Sequence, residues 1–502
     1  MSQTVAVGTT PRAIRLSVGG TTIATLLGYA CNLVLVPALL RDIGPGLYGT
    51  WATIASLLAV GGLADAGVRT EIVRRVGAAR GAADDAGVVA AVNRGVSLLA
   101  VFALGLVVVG AVGAPAMRAF AFPTGVAGYS GAALDWLIRG TFLLLAVELV
   151  VNGHFAVLRG LQRGDAEALA IALSAPVGVV ATLGGVVAGW GLWALLVGGV
   201  AQLAVQVGVQ TIATTRLVPA LRFRLVRIDR ATARGFAVLG GLALIAQIGD
   251  VVDTQWDKVV LARYVGTAAV ASFQIGTTLV LQAKVLALIP IAPMLVAVAE
   301  LRHVERERLD ELCRQLGQVG AVAGATVLGA VFVFAPAFIH LWLGSNASAS
   351  AIDACRIFVI AVAINLWCAP LAFRALGHAW PGVTAVSAGV NMAVNGVASL
   401  ALTFHLGFRG PLIGSIVGNV AGAAALAIVM RRRLGAEWQR PPMLPYAAGA
   451  LMAALAIGLG ADGVASWPAL VGFGALWAAV AGPVIALSAG MRRRDVTALV
   501  HS

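Results

Sequence analysis

Long apolar runs separated by short polar breaks recur along the whole chain. A bilayer's hydrocarbon core asks for about 20 helical residues per crossing. Measured with that ruler, the runs predict fourteen transmembrane helices: 16–40, 49–67, 91–113, 134–158, 167–189, 191–215, 235–263, 267–298, 316–342, 352–373, 380–405, 410–431, 443–461 and 467–490. The division between the fifth and sixth rests on Gly189-Trp190-Gly191 alone. Leu16–Leu40 follows Arg12 and Arg15, is longer than a signal-peptide core and lacks a clear cleavage site, so it reads as an uncleaved first span. The expected fold class is an all-α polytopic membrane protein.

Composition agrees with this reading. Of 502 residues, 60% are hydrophobic and only 11% charged, and the mean hydropathy is +0.93. A soluble domain of this size has nowhere to hide so much apolar surface. A cytosolic enzyme, a secreted disulfide scaffold and a disordered chain are excluded. Cys31, Cys313, Cys355 and Cys368 have no metal-like spacing and read as small apolar residues.

The net charge of +13 is a topology signal. With the N-terminus placed in the cytoplasm, 27 of the 35 basic residues fall in inside segments. Only Arg41, Arg118, Arg139 and Arg409 fall outside, while Lys258, Arg263, Lys284 and Arg356 lie in or at the ends of spans. An even span count then puts both termini inside. Basic residues interleaved with aromatics, as nucleic-acid binding requires, are absent. No loop is large enough for a folded domain. Residues 299–315 (AELRHVERERLDELCRQ) read as a short amphipathic connector at the membrane surface.

A weak internal repeat divides the chain. Leu39-Leu-Arg-Asp-Ile-Gly44 is similar to Leu261-Ala-Arg-Tyr-Val-Gly266, each at the outer end of an outward-running span. Spans one to six and seven to twelve therefore form two parallel repeats, an organisation typical of transporters with a ligand path between the halves. The expected boundaries are 1–233 for the N-terminal lobe, 234–434 for the C-terminal lobe, and 435–502 for an appended helix pair and tail.

The stretch Pro37-Ala-Leu-Leu-Arg-Asp-Ile-Gly44-Pro-Gly-Leu-Tyr-Gly-Thr-Trp51, continuing to Gly62-Leu-Ala-Asp65-Ala-Gly67, resembles the first two spans of Wzx-like bacterial polysaccharide flippases. These form the polysaccharide-transporter branch of the multidrug/oligosaccharidyl-lipid/polysaccharide exporter superfamily. Asp257-Lys258 through Gly266 to Phe273 resembles the junction of that branch's seventh and eighth spans. The resemblance implies a two-lobed bundle that moves undecaprenyl-diphosphate-linked oligosaccharide across the bacterial inner membrane by alternating access. It implies membrane lipids and other polysaccharide-assembly proteins as further partners. Two alternatives stay open: a cation-coupled multidrug antiporter of the same superfamily, and a membrane glycosyltransferase or ligase.

Ionisable residues inside spans are costly, so each is a candidate for function. Gln247, Asp250, Thr254 and Asp257 share one face of span seven over roughly 15 Å of depth. With Asp253 they form either a coupling-ion or sugar-binding face, or a salt-bridge network with Lys258 and Arg263. Lys284, deep in span eight, reads as a point charge for the lipid diphosphate or as a counter-ion for Asp250 or Asp253. Glu148 in span four suits proton coupling, and equally a neutral hydrogen-bonding role in the core. Arg356 sits one turn inside span ten, where snorkelling competes with head-group binding. Arg41, Arg139 and Arg263 lie near outer ends and would make an outer cavity electropositive. Intramembrane asparagines and the Gly414/Gly418/Gly422 spacing suit helix packing. Nucleotide-binding, hydrolase and metalloprotease motifs are absent. No catalytic residue, metal or cofactor is expected, and transport is expected to draw on an ion gradient or the membrane potential.

Overall fold

The computed structural model describes residues 11–228, 255–288, 306–378, 380–435 and 442–490. Among them the only β feature is one isolated bridge, Val126 to Tyr129. The helices follow the predicted spans in order. The first six are α1 (Pro11–Asp42), α2 (Gly44–Gly81), α3 (Asp85–Ala121), α4 (Gly131–Gly160), α5 (Gly164–Val187) and α6 (Leu192–Leu217). Then come α7 (255–264), α8 (Thr267–Leu288), α9 (Arg306–Leu343), α10 (Ala349–Gly377), α11 (Pro381–Leu406) and α12 (Arg409–Leu434), with α13 (Leu444–Gly458) and α14 (Trp467–Ser488) last. Eleven of these are long and apolar enough to cross a membrane. The chain divides into two compact units, Met1–Val251 and Val252–Ser502.

In the first unit the doubtful turn between α5 and α6 is real. Gly189 and Gly191 both take positive φ, +80° and +55°, which only glycine adopts cheaply. The Tyr129 hydroxyl fills the space that a side chain at 191 would need and accepts a hydrogen bond from the Leu192 N–H at 2.6 Å. Side-chain caps start α3 and α4: Asp84 accepts from the Gly87 N–H and Ser130 from the Ala133 N–H. The core is aliphatic and fully enclosed, with Ile72, Val76, Val92, Val96, Leu99 and Leu158 at its centre.

Helix α2 runs on well past its predicted end at residue 67. The continuation carries Arg69, Arg74, Arg75 and Arg80, expected in a loop. Glu71 makes this possible, because its carboxylate accepts from Arg74 at 2.6 and 2.7 Å and from Arg75 at 2.7 Å, the i,i+3 and i,i+4 spacings of a helix surface. Arg69 donates to Glu167 at 2.6 Å and Arg159 pairs with the other oxygen of the same carboxylate, tying α2, α4 and α5 together. The amphipathic connector shows the same effect. Residues 299–305 lie outside the described residues, but Arg306 onward is the opening of α9 and continuous with the span.

In the second unit α11 and α12 meet along two matched stripes. Ser387, Asn391, Asn395, Ser399 and Thr403 recur every fourth residue on α11, and Gly410, Gly414, Gly418 and Gly422 do so on α12. A side chain on Gly418 would sit 2.6 Å from both Asn391 Oδ1 and Asn395 Cβ, and one on Gly422 would meet Ser387 and Asn391. Helices α13 and α14 rest on α9: Trp477 Nε1–H donates to the Thr326 carbonyl at 2.9 Å, and Gly329 makes room for its ring. Helix α13 is about 22 Å long, shorter than its predicted span, because Gly460 turns left-handed (φ +77°) just beyond its end.

Two outcomes test this packing. Gly418→Val lowers the thermal midpoint in detergent by the equivalent of roughly 1–3 kcal/mol, whereas Gly482→Val, which faces open space, shifts it far less. The arginines, Arg74 foremost, hold the Glu71 carboxyl below its usual range. The stability this adds is present above the unfolded pKa and is lost as pH falls through the folded one. Glu71→Gln therefore lowers the midpoint at neutral pH and flattens its dependence on acidification.

Candidate functional site

Polar and charged side chains inside the spans gather in each unit around an amide–amide hydrogen bond. In the first unit, α6 presents Gln202, Gln206, Gln210 and Thr214 at every fourth position, a stripe that sequence reading missed although its spacing announces it. Gln206 Nε2 donates to Asn152 Oδ1 on α4 at 3.2 Å, and Asn152 Nδ2 contacts Glu148 Oε1 at 3.4 Å. Glu148 itself is exposed on α4. Its environment is thus an open surface, which removes the packed core from the neutral-residue reading.

In the second unit, Asn365 Nδ2 on α10 meets Asn419 Oδ1 on α12 at 3.4 Å. This is the same pairing, fourth helix of the repeat to sixth, and in both units the partners are 54 residues apart. The chain of polar groups continues. Asn419 Nδ2 donates to the Ser415 carbonyl at 2.9 Å, and Ser415 Oγ–H donates to Asp257 Oδ2 at 2.8 Å. Asp257 is fully buried. Its neighbour Trp256 donates to the Gly396 carbonyl of α11 at 3.2 Å. Across the α11–α12 seam Ser387 Oγ–H donates to the Gly422 carbonyl at 2.8 Å, and along α11 Ser399 Oγ–H donates to Asn395 Oδ1 at 2.7 Å. The carboxylate therefore sits where α7, α11 and α12 converge, among hydroxyl and amide oxygens.

The other candidates divide sharply. Asp250 and Asp253 lie outside the described residues. Lys258 is buried and donates to Gln255 at 2.8 Å. Lys284 is half-buried on α8 and, among the described residues, has no hydrogen-bond or ion-pair partner. Arg356 is a clamp: it donates to the Phe332 carbonyl at 3.2 Å, lies 5.5 Å from that ring's centroid and reaches Asp462 at 3.3 Å. It thereby ties α10 to α9 and to the turn before α14, which a free snorkelling or head-group arginine would not do. Arg41 is exposed and pairs with Asp42 at 2.8 Å. Arg139 lies over Trp136 at 5.0 Å and donates to the Ala111 carbonyl at 3.2 Å. Arg263 lies beside Tyr264 at 6.0 Å.

A groove of about 500 Å³ opens between α10, α12 and α13. Its walls are Ile360, Ile364, Trp367, Val420, Met443 and Tyr446 with neighbouring alanines, so the surface it offers an occupant is mainly apolar. A second concavity of about 760 Å³ lies on α11, beside Trp256, Gly396, Leu400 and Phe404.

The chain is an all-α polytopic membrane protein with polar seams buried between its helices. Residues 136–351 match the family model described as "Polysaccharide biosynthesis protein". Among solved structures, the chain is similar to the lipid II flippase MurJ in an inward closed conformation, with a TM-score of 0.69, 10% identity, and coverage of 95% of this chain and 99% of that one. It is similar to an inward-facing multidrug resistance MATE family transporter, with a TM-score of 0.64, 16% identity and coverage of 85% and 98%. It is also similar to a superfamily transporter from Pyrococcus furiosus, with a TM-score of 0.56, 17% identity and coverage of 85% and 96%. No curated protein sequence matches significantly. The resemblance to Wzx-like flippases read from Pro37–Gly67 and Asp257–Phe273 is borne out.

Ser415→Ala removes the hydroxyl donated to a buried carboxylate. It should lower stability in detergent by about 1–3 kcal/mol; an unchanged melting midpoint would show that Asp257 does not depend on that bond.

Proposed function

We propose that the protein translocates an oligosaccharide linked to a polyprenyl diphosphate, of the undecaprenyl type, across the bacterial cytoplasmic membrane for surface polysaccharide assembly. The observation that carries this reading is the apolar groove on α10, α12 and α13. A carrier lipid keeps its tail in an oily environment while its head group crosses. A groove with apolar walls suits part of a polyprenyl chain, whereas an amphipathic drug cation calls for an acid nearby. The third wall is α13, one of the terminal pair. The lipid II flippase fold accounts for 95% of the chain, against 85% for the multidrug transporters, and the difference is close in size to that pair. The match to a polysaccharide biosynthesis family supports the same reading.

In this mechanism Lys284, without a partner among the described residues, offers its ammonium to the diphosphate. Such a compact point charge suits a group that must be released again. Asp257, Ser415 and the neighbouring amide oxygens supply hard oxygen donors for a coupling cation, whose arrival would offset the cost of a buried carboxylate. Glu148 is the corresponding acid of the first unit. Superfamily relatives occur in inward-facing and outward-facing forms, which supports alternating access.

Deleting the gene should abolish surface polysaccharide and accumulate its lipid-linked precursor inside the cell, with unchanged resistance to cationic drugs. In the complemented strain Lys284→Gln should reduce export about tenfold or more, the scale of one lost charged contact, while Lys284→Arg retains a larger share. Drug sensitivity with intact polysaccharide would turn the assignment to an antiporter, and sugar transfer by the purified protein would turn it to an enzyme.

A further inference from the structure

After α6, residues 218–228 are not helical. Residues 221–228, without regular secondary structure, lie against the first unit. Leu221 is buried in the aliphatic core, and two backbone groups are caught by buried side chains one turn apart on α3. The Arg224 N–H donates to Asn93 Oδ1 at 3.4 Å and the Val226 N–H to Ser97 Oγ at 2.8 Å. A solvated linker has no need of such fastening. The fastened strip has the sequence Arg222-Phe-Arg-Leu-Val-Arg227. Its three arginines are exposed, and so are its apolar residues, with Phe223 at 54% and Leu225 at 62%.

Helix α3 itself gives the depth of this strip. Its exposed large apolar residues begin at Val101 and end at Phe120, a distance of about 29 Å along the axis. That equals the hydrocarbon thickness of a typical bilayer, about 30 Å. Ser97 then lies roughly 6 Å and Asn93 roughly 12 Å beyond the hydrocarbon edge, which is the head-group layer. Aromatic and aliphatic side chains exposed at that depth can enter the acyl boundary, while arginines beside them reach phosphates.

We infer that Arg222–Arg227 is a membrane-surface strap that binds the head groups of anionic phospholipids in the adjoining leaflet. The occupant is a lipid because apolar and cationic side chains alternate within six residues held at head-group depth. The positive charge selects anionic over zwitterionic head groups. The inference is independent of the transported substrate.

The test uses the full-length protein carrying Leu225→Cys in a Cys31→Ser background, the other three cysteines being buried. It is labelled with an environment-sensitive fluorophore and placed in nanodiscs of phosphatidylcholine, with or without phosphatidylglycerol. Emission should shift to the blue when phosphatidylglycerol is present, and brominated phosphatidylglycerol should quench it more than brominated phosphatidylcholine. The triple variant Arg222→Gln, Arg224→Gln, Arg227→Gln should lose about tenfold or more of that lipid preference while eluting as a folded protein. Water-like emission in both bilayers, equal quenching by the two lipids, or an equally blue emission in lipid-free amphipol pointing to a protein contact would each overturn the assignment.

Discussion

Helices in hydrocarbon gain nothing from hiding apolar side chains from one another, because lipid is as apolar as leucine. The structure depends on that constraint. Each unit must hold together by close approach of backbones and by hydrogen bonds between side chains. The α11–α12 seam shows both devices on one line. Glycines at every fourth position of α12 bring the backbones near, and hydroxyl and amide side chains at every fourth position of α11 fill the seam with polar contacts. Neither stripe works alone. Without the glycines the asparagines have no room, and without the polar residues the close approach carries only dispersion. The first unit solves the problem between α5 and α6, where Gly178 and Gly198 lie against Gln202 and Thr182.

The sequence made the helices legible because length and apolarity suffice to mark a crossing. The turn at Gly189 and Gly191 was legible because positive φ there requires glycine. Helix ends were less so. Charged residues after a span suggest a loop, but Glu71 between Arg69 and Arg74 is compatible with a helix, and its ion pairs extend α2 into the polar zone. The apolar groove was not legible, since its walls are scattered aliphatic and aromatic residues of three helices whose convergence only the folded chain reveals.

Among the site residues, chain separation decided what could be foreseen. The link between Arg356 and Asp462 spans 106 residues and that between Asp257 and Ser415 spans 158, so nothing local announces either. The same charge type consequently met opposite fates: Arg356 is committed to a clamp, while Lys284 on α8 has no partner among the described residues. The cost of a charge at membrane depth explains why the commitment matters. A paired arginine is a structural strut, here between α10, α9 and the turn before α14, whereas a lysine without a partner among the described residues suits a place where something mobile comes and goes.

The two repeats preserve the amide clasp between their fourth and sixth helices at an identical separation, yet place their acids differently. In the first, the clasp leads along α4 to Glu148, exposed one turn away. In the second, it leads along α12 to Asp257, sealed beneath α11 and α12. The two units thus share a packing contact without sharing the placement of an acid. An exposed carboxylate exchanges protons or cations readily and binds them weakly, while a sealed one exchanges slowly and is intolerant of remaining bare. Glu148 and Asp257 therefore differ in access, because one carboxylate lies open on α4 and the other is enclosed between α7, α11 and α12.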